Sequence, residues 1–216
     1  MAYLGTMASE PGNREHRKDV QKAWTMYDWA NSVYSLVITT TIFPIFYNSQ
    51  TVVKVSRDRI EYNDCVSFWG MEFINTQLYS YVLATSFLVI IFLSPLLSGM
   101  ADYAGKKLTF MKAFCYAGAA GCISMFWFNP DQLEWSMGSL FLANIGFWGS
   151  LGFYNAYLPE IAPPEEHDKL GARGYVMGYI GSVLLLLVCL GLILRVGSHL
   201  TKWAFVLVGV WWVAWA

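Results

Sequence analysis

Polar side chains recur at helical spacing inside an otherwise apolar stretch near the amino terminus. Asp28, Asn31, Ser35 and Thr39 are three or four residues apart, which places them on one face of a helix. Such a stripe is costly against lipid and is expected to face a bundle interior or a water-filled cavity. The chemistry indicated is recognition of a solute, and Asp28 is a candidate functional residue because it carries charge inside an apolar run.

A second interpretation of Asp28 stays open. The residue lies one turn inside Trp24, at a depth where lipid headgroups are expected. There the carboxylate would cap a helix or pair with a cation such as Lys22 or Lys107. The sequence is compatible with both roles.

Further candidates for the substrate path lie deeper in the apolar runs. Asn31 and Tyr34 are placed to touch a substrate in the first run. Asn144 and Asn155, eleven residues apart, lie on nearly the same face of the fourth run. Buried amides also hold helices together, so a structural role for these two remains an alternative.

Six apolar runs must supply the helices that position these side chains. A helix needs about 20 apolar residues to cross the hydrocarbon core, and the first five runs are long enough. The sixth is still apolar where the chain stops, which predicts a fragment or one part of a longer polypeptide. The runs cover residues 24–47, 77–100, 108–128, 136–158, 174–194 and 203–216.

The composition agrees with an all-α integral membrane protein. Hydrophobic residues make up 56% of the chain and charged residues 13%. Within the five complete runs only Asp28 and Lys112 are charged. A net charge of −1 argues against a nucleic-acid partner, which would require a basic face.

Lysine and arginine favour one side of the predicted membrane, and that bias predicts a cytoplasmic amino terminus. Residues 1–23 are interpreted as a cytoplasmic segment without a cleavable signal peptide, followed by a transmembrane domain over residues 24–216. Five of these cations fall on the opposite side: Lys54, Arg57, Arg59, Arg195 and Lys202. Nine fall on the amino-terminal side: Arg14, Arg17, Lys18, Lys22, Lys106, Lys107, Lys112, Lys169 and Arg173.

Enzymatic motifs are missing from the sequence. It contains no GxSxG elbow, no GxxxxGK[ST] phosphate loop and no HExxH pair. His16, His167 and His199 fall in separate predicted connections, which argues against a metal cluster. We therefore expect a protein that is not an enzyme and that uses no cofactor and no metal.

Four glycines of the fifth run form a ridge of small residues: Gly171, Gly174, Gly178 and Gly181. Ridges of this kind usually mark close packing between helices. In a transporter the same surface can slide during alternating access. The sequence predicts close helix packing at these glycines and is also compatible with a sliding surface.

The turn SGMADYAGKK at residues 98–107 resembles the signature GxxxDxxGx[RK] between the second and third helices of the major facilitator superfamily. Asp102, Gly105 and Lys107 occupy its acidic, glycine and basic positions, and Ser98 replaces its first glycine. The resemblance implies that these three residues form a conformational latch at the cytoplasmic face. Asp102 would cap a helix end or pair with a cation and favour the outward-facing state.

Three further stretches resemble the vacuole-effluxer-like branch of that superfamily, whose fungal members export amino acids from the vacuole during autophagy. They are WTMYDWANS with IFP at residues 24–32 and 42–44, YNAYLPEIA at residues 154–162 and GYIG at residues 178–181. The family has twelve spans in two halves. The resemblance implies that this chain is the six-helix amino-terminal half of a major facilitator bundle, with its sixth span truncated.

The expected function is secondary active transport of a small solute by alternating access, with amino-acid efflux implied by the resemblance. The expected membrane is the cell (inner) membrane in a bacterium or the vacuolar membrane in a fungus. Expected partners are the solute, the lipid bilayer, and the missing carboxy-terminal half or a second polypeptide. Two alternatives remain: a lipid or lysolipid flippase on the same scaffold, and a half-size membrane scaffold that does not transport.

Overall fold

Six long helical segments dominate the part of the chain that the structure describes. The structure is a computed structural model and describes residues 11–54, 62–104 and 106–215. The first segment is continuous from α1 through a π-helical stretch into α2. The elements are α1 (Pro11–Val33), the π-helix (Tyr34–Ile42), α2 (Phe43–Thr51), α3 (Asn75–Ala104), α4 (Lys107–Ser124), α5 (Leu133–Ile161), α6 (Pro164–Val196) and α7 (Thr201–Trp215).

Helix length and composition agree with a membrane protein. Within the described residues, four helical segments are long and apolar enough to cross a bilayer: Arg17–Thr51, Asn75–Gly99, Lys107–Trp127 and Pro164–Val196. α5 has 29 residues, a length of about 44 Å at 1.5 Å per residue, which exceeds the hydrocarbon thickness. α7 has 15 residues in the structure. The prediction of a helical membrane protein is confirmed at this level.

The three prolines between residues 159 and 169 predict that this stretch is a connection between the fourth and fifth runs, and this prediction is wrong over most of its length. Pro159 lies inside the last turn of α5, and only residues 162–163 separate α5 from α6. α6 begins at Pro164, where a missing N–H costs nothing and the fixed φ suits a helix start. Glu165 and Glu166 follow in its first turn, where carboxylates interact favourably with the helix dipole.

The sequence predicts a surface cap or a short interfacial helix in the connection at residues 48–76, but the described part of this connection contains β-strands. Trp69 and Gly70 form the turn of the second hairpin, and both have positive φ, as tight hairpin turns require. The Trp69 N–H donates to Glu134 Oε1 at 3.1 Å, which attaches this hairpin to the start of α5. The pairs are β1 (Val53–Lys54) with β2 (Tyr62–Asn63) and β3 (Cys65–Phe68) with β4 (Met71–Ile74), both antiparallel.

Aromatic side chains fill the core between the helices. The larger cluster of buried residues joins the π-helix and α2 to α4, α5 and α7, and includes Tyr34, Phe43, Phe128, Phe205 and Trp212. The smaller cluster joins α1 to the end of α5 and the start of α6, and includes Trp24, Tyr27, Tyr154 and Leu170. Aromatic rings at close centroid distances stabilise such contacts by about 1 kcal/mol per pair. The core therefore fixes α1 between α5 and α6, where the polar stripe of α1 lies.

Candidate functional site

A cavity of about 680 Å³ lies between α1, α5 and α6. Its size is within the range of pockets that hold small molecules. Three residues predicted for the substrate path line it: Asp28, Asn31 and Asn155. Other lining residues include Trp24, Ser32, Ser35, Thr40, Tyr154, Tyr175, Tyr179 and Ser182.

Asp28 is buried, with 4% of its surface exposed. Its Oδ1 accepts a hydrogen bond from Ser32 Oγ at 2.7 Å, one helical turn further along α1. Lys107, one of the cations considered as its partner, instead makes an ion pair with Glu160. The carboxylate therefore lies at the cavity wall with a hydroxyl as its partner, and its second oxygen faces α6.

The glycines of α6 make room for this carboxylate. A Cβ at Gly178 would lie 2.5 Å from Ser32 Oγ and 3.0 Å from Asp28 Oδ2. A Cβ at Gly174 would lie 2.6 Å from Tyr154 Oη. The predicted ridge is thus a packing surface at Gly174, Gly178 and Gly181. Gly171 differs, because it lines the cavity and a Cβ there would meet nothing within 4 Å.

Three cavity-lining residues carry buried polar atoms without a hydrogen-bond partner within the described part of the chain. These atoms are Asn31 Nδ2, Tyr154 Oη and Ser182 Oγ. Asn31 is held in place by its other atom, because its Oδ1 accepts from Ser150 Oγ at 3.2 Å. A buried donor without a partner costs about 1–3 kcal/mol, so these groups favour a polar ligand or water in the cavity.

An aromatic pair orients the wall of the cavity opposite α6. The rings of Trp24 and Tyr154 stack with centroids 4.1 Å apart and planes 9° apart. Trp24 Nε1 also donates to the backbone oxygen of Tyr154 at 2.9 Å, which joins α1 to α5. Sequence reasoning did not assign either ring to the site, because aromatic residues in apolar runs are most often core. The available signal was that Trp24 and Tyr154 begin the WTMYDWANS and YNAYLPEIA stretches.

Two residues predicted for the substrate path lie away from the cavity lining. Tyr34 is fully buried and packs against Phe147 and Trp212, with ring centroids 5.4 Å away in each case. Asn144 is buried and donates a hydrogen bond from Nδ2 to Ser86 Oγ, which joins α5 to α3. The arrangement of Asn144 corresponds to the structural alternative, in which a buried amide holds two helices together.

The π-helix forms the deeper part of the cavity wall. Ser35 and Thr40 line the cavity from this segment. Thr40 Oγ1 donates to Ser35 O at 2.7 Å, and Thr41 Oγ1 donates to Leu36 O at 2.7 Å, so both hydroxyls bond to the residue five positions earlier. Short π-helical stretches inside α-helices are frequent at functional sites.

The predicted latch is described in part. Gly105 and the side chain of Asp102 lie outside the described residues. Lys107 Nζ lies 2.5 Å from Glu160 Oε1, an ion pair that joins the start of α4 to the end of α5. Glu160 belongs to the YNAYLPEIA stretch, so two separate sequence motifs meet at this end of the bundle.

Comparison with known proteins adds an independent result. Residues 16–216 match the protein family described as "Vacuole effluxer Atg22 like". The chain is 32% identical over 202 residues to a protein of Bacillus subtilis (strain 168) named "Uncharacterized MFS-type transporter YxiO". The alignment covers 89% of this chain and 44% of that relative, so the chain spans less than half of the relative's length. No solved structure matches the chain.

Proposed function

Because this chain belongs to the vacuole effluxer Atg22-like family of membrane transport proteins, we propose that it forms the amino-terminal half of a secondary transporter. The half comprises a cytoplasmic segment over residues 1–23 and six major-facilitator-type helices over residues 24–216. A second half, in the same or another polypeptide, closes the cavity from the other side. Alternating access then moves the solute past a site near the midplane.

The substrate class follows from the groups that line the cavity. Asp28 supplies a negative charge, which favours a cationic group such as an ammonium. Asn31 Nδ2 and Tyr154 Oη are unpaired donors, and they favour a carboxylate or carbonyl on the same solute. A small solute with both groups is an amino acid. The observation that carries this proposal is the presence of all three groups in the lining of one cavity.

Transport by the full-length protein tests this proposal directly. In proteoliposomes, Asp28→Asn is expected to reduce amino-acid flux by about 10- to 100-fold, because one charge-assisted hydrogen bond is worth about 1.5–3 kcal/mol. Asp131→Asn makes the same chemical change at an exposed position in a connection and should leave flux unchanged. Equal flux in both variants would remove Asp28 from the site. Transfer of labelled lysolipid without amino-acid flux would favour a flippase instead.

The turn at residues 98–107 acts in this proposal as the conformational latch. The described ion pair between Lys107 and Glu160 supports a charged network that joins helix ends at this face. Asp102→Asn should change the transport rate by shifting the populations of outward- and inward-facing states while substrate affinity is retained. Cysteine accessibility labelling from both membrane faces measures those populations. Identical labelling of wild type and variant would contradict the latch.

A further inference from the structure

A second pocket lies beside the transport cavity, at the ends where α1 and α6 begin. It has a volume of about 450 Å³ and shares no lining residue with the cavity. Cations dominate it: Arg17, Lys18, Lys22, Lys169 and Arg173. The remaining lining residues are Gln21, Thr25, Leu170 and a single acid, Glu166.

Glu166 does not balance the charge of this basic pocket. Its Oε1 lies 3.7 Å from Arg17 Nη2, and its Oε2 accepts from Gln21 Nε2 at 3.4 Å. Five cations against one carboxylate leave an excess of four positive charges among the lining residues. Like charges held close together repel, and a bound anion relieves that repulsion.

The basic pocket and the cavity lie on opposite sides of the buried ridge of α6. Leu170 and Gly174 belong to that ridge. The pocket residues Lys169 and Arg173 come directly before the buried residues Leu170 and Gly174. The cavity residues Gly171 and Tyr175 come directly after them. One position rotates a side chain by about 100° around the helix, so the two sets diverge. An anion in the basic pocket would therefore be separate from the transported solute.

The side of α6 that carries Lys169 and Arg173 becomes apolar further along the helix, toward the middle of the predicted membrane. Starting from Arg173, steps of three or four residues reach four exposed aliphatic residues: Val176, Ile180, Leu184 and Leu187. On the cavity side the corresponding residues are polar or aromatic, as at Tyr179 and Ser182. Cations at the helix end followed by an aliphatic stripe match an amphiphile with an anionic head and acyl chains.

We propose that the basic pocket binds the phosphate-bearing headgroup of an anionic phospholipid, with the acyl chains lying along the aliphatic stripe of α6. Basic pockets between membrane helices are suited to such headgroups, and each Lys or Arg near the surface contributes about 1 kcal/mol. The aliphatic stripe favours a lipid over free phosphate as the source of the anion. Because the site is separate from the cavity, its test does not depend on identifying the transported solute.

Lipid titration of the purified chain tests the proposal. Cardiolipin is added in detergent micelles to the fluorescently labelled protein, and the Kd is measured by thermophoresis. Lys169→Gln/Arg173→Gln is expected to raise the Kd tenfold or more. Lys106→Gln/Lys112→Gln removes the same charge near the start of α4, outside the basic pocket, and should change the Kd by less than twofold.

Three outcomes would overturn the proposal. Equal weakening in both double variants would mean that cardiolipin responds only to overall charge. Equal binding of phosphatidylcholine would mean that the headgroup charge is not recognised. Full displacement of cardiolipin by millimolar glycerol phosphate would assign the pocket to a soluble anion.

A variant of the aliphatic stripe provides a second measurement. Val176→Ser/Ile180→Ser alters two exposed side chains and leaves every cation in place. It should weaken cardiolipin binding at least threefold while weak binding of glycerol phosphate is unchanged. Unchanged cardiolipin binding in this variant would contradict the placement of the acyl chains.

Discussion

Two glycine-lined helix contacts in this protein serve different purposes. Between α4 and α5 the glycines bring backbone against backbone: a Cβ at Gly121 would lie 2.7 Å from Ala143 N and 2.9 Å from Ser139 O. Gly118 and Gly146 face each other in the same contact, where a Cβ on Gly146 would collide with Gly118 Cα. At Gly121 and Gly146 this contact therefore leaves no space for a side chain.

Between α1 and α6, Gly174 and Gly178 instead face side chains, whereas Gly181 lies against the backbone oxygen of Trp29. Gly174 and Gly178 lie against Tyr154, Asp28 and Ser32, and each is next to the cavity. The missing Cβ atoms here provide room for a carboxylate and two hydroxyls rather than for a second backbone. Small residues thus bring α4 and α5 into close contact, whereas on α6 they make room for polar side chains that line the cavity.

The largest effect is expected for Gly146→Ala in the α4–α5 contact. The new methyl group would overlap the Gly118 backbone, which has no rotamer to change, so we expect a loss of about 3 kcal/mol. Thermal unfolding of the purified protein in detergent measures this loss. Gly152→Ala, on the same helix, is the matched control, because the nearest atom that its Cβ would meet on another helix is Ser94 Oγ, at 4.0 Å. Similar melting temperatures for the two variants would contradict a backbone contact.

Gly178→Ala should affect transport more than folding. Its methyl group would meet Ser32 Oγ and Asp28 Oδ2, which are side-chain atoms that can rotate away at a cost of about 1 kcal/mol. That rotation breaks the hydrogen bond that orients Asp28, so flux should fall at least tenfold in proteoliposomes of the full-length protein. A large drop in melting temperature with normal flux would show that this contact, too, is only structural.

Part of this arrangement was predictable from the sequence. Helix positions follow from the lengths of the apolar runs, and spacing alone placed Asp28 and Asn31 on one face that lines the cavity. The start of α6 was missed because Pro164, Glu165 and Glu166 were interpreted as a loop, although proline and acidic residues suit a first helical turn.

Other features depend on which helices become neighbours, and the spacing of residues along one apolar run does not reveal that. Asn31 and Asn144 are both asparagines in apolar runs, yet one lines the cavity and the other joins α5 to α3. Both amides bond to a serine of another helix, Asn31 to Ser150 and Asn144 to Ser86, but only Asn31 also has an unpaired atom at the cavity. Serine partners 119 and 58 residues away cannot be assigned from spacing. The facing pair Gly118 and Gly146 was missed for the same reason.

Alanine variants of these two asparagines are expected to have effects of intermediate size and to separate substrate binding from helix packing. Asn31→Ala removes an unpaired donor from the cavity and the acceptor of the Ser150 hydrogen bond, so it should weaken substrate binding about tenfold and lower stability by about 1 kcal/mol. Asn144→Ala removes the bond to Ser86 and should lower stability by about 1 kcal/mol with unchanged substrate affinity. Substrate binding and thermal unfolding measured on both variants test this. Weaker substrate binding in Asn144→Ala alone would reverse the two assignments.

The smallest effects are expected at two glycines with open space around them. A Cβ at Gly171 or at Gly138 would meet nothing within 4 Å, so alanine at either position should raise stability by up to about 1 kcal/mol through helix propensity. Only Gly171 lines the cavity, where an added methyl group narrows the space available to the solute. Gly171→Ala should therefore raise the KM for the largest substrates about threefold, whereas Gly138→Ala should not. Equal KM values would mean that the solute does not reach this part of α6, and the site would then lie nearer the π-helix.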